Sequence, residues 1–103
     1  MAYDTQEIAQ FDRLIHEPAR LAIMAVLWAC DNADFTFLLN TTDLSKGNLS
    51  AHLRKLEEAG YITITKRFKG KYPNTTCELT RDGRRAFDSY RKQYLALAHY
   101  LET

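Results

Sequence analysis

The sequence predicts an α+β fold, mainly α, in which helices flank one two-stranded β-hairpin and a long helix closes the chain. Three observations predict it. Leu49, Leu53 and Leu56 recur at helical spacing between a capping Ser45 and a Gly60 stop. Tyr61 to Arg67 then alternates, with Ile62 and Ile64 on one face and Thr63 and Thr65 on the other. Phe87, Tyr90, Tyr94, Leu97 and Leu101 follow at spacings of three and four, a narrow helical seam.

The remaining elements fall into place around these. With 103 residues the chain suffices for one domain and one core, so positions 1–103 are read as a single unit. Ile8, Phe11, Leu14 and Ile15 sit at helical spacing and predict a short first helix. His16-Glu17-Pro18 interrupts it, and Pro18 suits the first turn of the next helix. That second helix, Pro18 to Cys30, carries no charge after Arg20 and should run through the centre of the fold. Asp31 to Asp34 reads as a turn, with Asp34 capping a third helix over Phe35 to Thr41. Asn40 to Asp43 then turns the chain into a fourth helix at 45–59.

The hairpin occupies 61–79. Its turn, Arg67 to Pro73, is basic and holds Phe68 and Tyr72 on either side of Gly70, and Thr75 to Leu79 forms the return strand. Both rings are expected to pack on the body of the hairpin. Thr80 caps the last helix, 81–101, which extends roughly 30 Å at 1.5 Å per residue. That is about the width of so small a domain, so its far end, Tyr94 to Leu101, should meet another chain.

Net charge is only +1, but its distribution is uneven. Residues 1–44 carry a balance of −5 and residues 45–72 one of +5. Screening confines phosphate attraction to roughly 8–10 Å at physiological salt, so a basic face on a nearly neutral molecule is enough for nucleic acid. The face of the 45–59 helix opposite its leucines carries Asn48, Ala51, Arg54 and Lys55, with Ser50 on one flank and His52 on the other. Asn48 suits an adenine edge, Arg54 a guanine edge or a phosphate, and Ala51 leaves room for a thymine methyl. Ser45 and Lys46 can donate to phosphate at the helix N-terminus. Lys66, Arg67, Lys69 and Lys71 surround Gly70 in the hairpin, placed to meet phosphate or the minor groove. His52 is read as a core-edge histidine bonded to backbone. Helix plus basic hairpin is the winged helix-turn-helix arrangement for meeting duplex DNA.

Leu44-Ser45-x-Gly47-Asn48-Leu49-Ser50-x-His52-Leu53-x-x-Leu56-Glu57-x-x-Gly60-Tyr61-Ile62 is followed by Lys66-x-Phe68-x-Gly70-x-x-Pro73-x-Thr75. Leu79-Thr80-x-x-Gly83-Arg84-x-Ala86-Phe87 completes the pattern. Together these resemble small winged-helix transcriptional regulators of the MarR/ArsR kind. The resemblance implies a homodimer, a pseudo-palindromic DNA site and regulation of transcription, usually repression. It also implies that the last helix, with the first, builds the dimer interface, here through Phe87, Tyr90, Tyr94, Leu97 and Leu101. An unidentified small-molecule effector is the further partner that such regulators leave open.

Other classes find less support. The alternative to a DNA-binding regulator is a winged helix that serves protein assembly alone, but such modules generally lose the basic wing. His16, His52 and His99 are scattered, and neither a glycine-rich phosphate loop nor a nucleophile with a nearby base is visible, so no enzyme and no cofactor are expected. Cys30 and Cys77 form no C-x-x-C, which argues against a metal site or a disulfide framework, although a redox role for either is left open. With no signal-peptide pattern and no apolar run long enough to span a bilayer, a cytoplasmic location without membrane contact is expected.

Overall fold

The computed structural model describes residues 2–102. Four α-helices and three strands follow a short 3₁₀ segment, Thr5–Gln10. They are α1 (Pro18–Ala29), β1 (Ala33–Asp34), α2 (Phe35–Thr42) and α3 (Lys46–Glu58), then β2 (Ile62–Lys69), β3 (Tyr72–Leu79) and α4 (Arg81–Leu101).

Side-chain caps set most of these boundaries. Asp34 accepts from the Phe37 amide at 2.8 Å, Ser45 from Asn48 at 3.1 Å and Thr80 from Gly83 at 2.9 Å. Glu17 caps α1 through the Arg20 amide at 2.9 Å. At the end of α3 the Gly60 amide donates to Glu57 and the Tyr61 amide to Leu56, a Schellman pair that needs the positive φ of 81° at Gly60.

Three expectations change. The first segment is not an α-helix reaching Ile15. Asp4 caps the 3₁₀ turn, and Asp12 Oδ1 accepts from the amides of Leu14 and Ile15, so side chains take the donors that a continuing helix would use. Phe11 and Ile15 are nevertheless buried. The α2 helix runs one residue further than expected, to Thr42, because Thr41 and Thr42 bond back to the carbonyls of Phe37 and Leu38, and Asp43 ends it at φ 57°. Ala33–Asp34 is not only turn but a strand, pairing with Cys77 and Thr76, which makes the sheet three-stranded in the order β1-β3-β2.

The core lies between α1 and the hairpin base. Ile23, Met24 and Leu27 of α1 meet Leu49 and Leu56 of α3, with Ile62, Cys77 and Leu79 from the sheet. Each fully buried aliphatic side chain contributes about 1.5–3 kcal/mol, which fixes the orientation of α3 from three contacts along its length. As expected, α1 is central, packing against α2, α3, β3 and α4.

The α4 helix docks through Phe87 and Tyr90, where Trp28 and Phe11 add ring contacts. Its approach depends on Gly83, since a Cβ there would sit 2.0 Å from the Tyr61 carbonyl oxygen. Further along, α4 leaves the body, and Tyr94 and Leu101 are 51% and 71% exposed. The molecule measures 59 × 25 × 20 Å with a radius of gyration of 15.4 Å, against about 13 Å for a compact chain of this length. No helix among the described residues is long and apolar enough to cross a membrane.

Candidate nucleic-acid interface

Burial of Leu49, Leu53 and Leu56 turns the opposite side of α3 outward. Lys46, Gly47, Asn48, Ser50, Ala51, Arg54 and Lys55 are all exposed there. Ser45 holds the Asn48 amide, while no acid occupies the first turn. The amides of Lys46 and Gly47 therefore face outward at the positive end of the helix dipole. Such an end accepts an anion.

His52 stands at the edge of this face, as expected, but its partner is not backbone. Its Nδ1 lies 3.1 Å from Nη1 of Arg20. A guanidinium only donates, so Nδ1 is the acceptor. Arg20 also donates from Nε to the Leu14 carbonyl at 2.6 Å, and Glu17 stands 3.9 Å from the imidazole. These contacts tie the start of α1 to the middle of α3. Burial of the phenol and its bond to the Asp12 carboxylate push Tyr61 up to about 12, so the phenol remains a donor and clamps the loop before α1 to the end of α3.

The hairpin places the second group of bases. Ile62 pairs with Leu79 and Ile64 with Cys77 over the core, and the strands then continue past it to Lys69 and Tyr72. Gly70, at φ 67°, and Lys71 complete a two-residue turn, much tighter than the loop expected from the sequence. Lys66, Arg67, Lys69, Gly70 and Lys71 are all exposed. Phe68 and Tyr72 are too, at 77% and 76%, so neither ring packs on the hairpin body. The core ends at the pair Ile64–Cys77, two residue pairs before Lys66, which leaves nothing under the tip for them to cover.

An open groove of about 650 Å³ runs between α3 and the hairpin. Ser50, Arg54 and Glu57 line one wall, and Ile64, Lys66 and Thr75 the other. Thus Arg54 and Lys66, 12 positions apart in sequence, are brought to one groove. Cys77 is buried at the base of the sheet, and burial, with the charge of Glu57 added, pushes its thiol up to about 11. It is a core thiol. Among the described residues no group of three or more His, Cys, Asp or Glu is placed to hold a metal ion.

A capped helix with an outward polar face, followed by a basic two-stranded wing, defines a winged-helix module of the kind that reads duplex DNA. The chain belongs to the winged helix DNA-binding domain family, whose model matches residues 19–98. It is 33% identical over 91 residues to an uncharacterized protein of Methanocaldococcus jannaschii, a match covering 87% of this chain and 98% of that protein. A transcriptional regulator homologue from Pyrococcus horikoshii OT3 superposes with a TM-score of 0.88 at 27% identity, over 96% of this chain and all of the other. The fold is also that of a MarR-family protein from Enterococcus faecalis V583, at TM-score 0.72 and 23% identity, covering 99% of this chain and 89% of that one. Family and fold are those of transcriptional regulators, not of enzymes.

Proposed function

We propose that this chain acts in the cytoplasm as a dimeric repressor of transcription, one domain per protomer, bound to a pseudo-palindromic operator. The observation that carries the reading is the outward face of α3, rich in hydrogen-bonding groups and free of acid in its first turn, beside an exposed basic hairpin. In this reading Asn48, Ala51, Arg54 and Ser50 meet base edges in the major groove. Ser45, Lys46 and Lys55 hold phosphate, and Lys66, Arg67, Lys69, Gly70 and Lys71 anchor the wing on the flanking backbone or minor groove. Repression then needs only that the bound dimer cover its site.

Support for the dimer comes from α4. Tyr94, Leu95 and Leu101 are more than half exposed, and Ile8 of the N-terminal segment is 38% exposed. Large apolar side chains left exposed along one helix suit an interface. Phe87 and Tyr90 are already buried within the protomer, so the contact with a partner rests on Tyr94, Leu97 and Leu101.

The test is a fluorescence titration of a random-sequence duplex at two salt concentrations, beside light scattering of the free protein. A dimer mass, and affinity that falls steeply with salt, are the expected results. No binding at low salt would transfer the basic face to a protein partner.

A further inference from the structure

Past the pair Ile64–Cys77 the two faces of the hairpin diverge in chemistry. Directly opposed residues share a face, so register decides what each one carries. Lys66 pairs with Thr75 and Phe68 with Pro73 on the face that continues Ile62 and Ile64. Arg67 pairs with Asn74 and Lys69 with Tyr72 on the other. The last pair of the wing is therefore apolar on one side, Phe68 with Pro73 just beyond Lys66, while the other side carries Arg67 and Lys69 beside the exposed Tyr72. Phe68 is 77% exposed, and among the described residues its ring meets no other aromatic. A phenylalanine held at the tip of a basic hairpin, backed by a rigid proline, is shaped for something that is anionic outside and apolar within. Duplex DNA is such a partner: phosphate walls enclose stacked bases.

We propose that Phe68, supported by Pro73, is a wedge that enters the minor groove beside the segment covered by α3 and partly unstacks one base step. The inference rests on the DNA-binding reading above. B-form minor grooves are about 6 Å wide. Two strands about 4.8 Å apart, with their side chains, do not fit without opening the groove. An aromatic inserted at a step opens it and bends the duplex toward the major groove, where α3 would lie. Arg67, Lys69 and Lys71 hold the phosphates on either side while the ring enters. Pyrimidine–purine steps deform most easily, so the wedge selects sequence at a position that no hydrogen-bonding side chain reads.

The experiment runs wild type, Phe68→Ala and Phe68→Leu in parallel through selection from duplexes with randomised centres. Wild type and Phe68→Leu should enrich TA or CA/TG steps flanking a shared central motif. Phe68→Ala should keep the centre and lose the flanks. It should bind the wild-type duplexes about tenfold more weakly, as loss of one stacked ring implies. Its salt slope should not change, since no charge is removed, and its unfolding midpoint should match wild type because the ring covers no core. Identical flanks and affinity for Phe68→Ala and wild type would overturn the wedge while leaving the DNA-binding reading intact. A monomeric Phe68→Ala would also overturn it, by moving the ring to the contact between copies. If wild type retains no duplex at all, both readings fail together.

Discussion

Replacing Gly83 by alanine puts a methyl carbon 2.0 Å from the carbonyl oxygen of Tyr61, 2.8 Å from its carbonyl carbon and 3.1 Å from its Cα. All three are backbone atoms, so no side chain can swing away. Restoring ordinary contact requires α4 to retreat from the hairpin base by more than an ångström. That retreat disturbs the bonds gathered at the junction. The Thr80 amide donates to the Tyr61 carbonyl at 3.0 Å, and Thr80 Oγ1 donates to the Gly60 carbonyl at 2.6 Å while capping α4. Overpacking costs about 1–3 kcal/mol, and each weakened hydrogen bond about 1 kcal/mol more.

Alanine opposes this with a gain in helix propensity of about 1 kcal/mol. The net expectation is a loss of about 2–4 kcal/mol, or a fall in melting temperature on the order of 10–30 °C. Urea unfolding followed by circular dichroism measures it. Gly47→Ala is the control, since nothing lies within 4 Å of a Cβ there, and it should leave stability equal or raise it by up to about 1 kcal/mol. If Gly83→Ala proved as stable as Gly47→Ala, the close approach of α4 to the hairpin base would be wrong.

The remaining predictions concern the interface, the dimer and pH. Arg54→Ala should cost about 1–3 kcal/mol of DNA affinity and relax base preference at one position of each half-site, whereas Lys69→Ala should weaken all duplexes alike and lower the salt slope by about one. Competition titrations against mixed-sequence DNA separate the two. Leu101→Glu should loosen the dimer about 100-fold or more, since two apolar side chains are lost per interface, and light scattering across a dilution series reads it. Above pH 9, stability should fall. The unfolded chain releases the Cys77 proton at its ordinary value, while the folded chain keeps it until about 11, so the unfolded state binds fewer protons and gains as pH rises. Cys77→Ala should flatten that decline in denaturation curves between pH 8 and 11, whereas an unchanged slope would contradict the buried thiol.

Local chemistry made much of this fold readable from the sequence. Asp34, Ser45 and Thr80 cap the helices that they were expected to cap, and Gly60 stops α3. The period of Leu49, Leu53 and Leu56 identified the buried side of α3, and hence its outward face, without any tertiary information. What the sequence hid depends on distant partners. Ala33–Asp34 is too short to alternate and is a strand only because β3 lies beside it. Asp4 and Asp12 turned a helical spacing into caps and turns, a competition that apolar periodicity does not register. His52 meets Arg20 from 32 positions away, so the bond joining α1 to α3 had no local signal. For Phe68 and Tyr72, composition suggested packing, but exposure follows from where the core stops along the hairpin. Gly83 stood in a recognisable pattern, and only the approach of Tyr61 shows why that position excludes a side chain.

The measurement that tests the central claim most directly is selection of duplexes from a random pool by the purified protein, with sequencing, at two salt concentrations. The account predicts an inverted repeat whose half-sites lie about one helical turn apart, as two copies of α3 joined through α4 would require. Recovery of salt-sensitive binders with no shared motif, or of none at low salt, would contradict it.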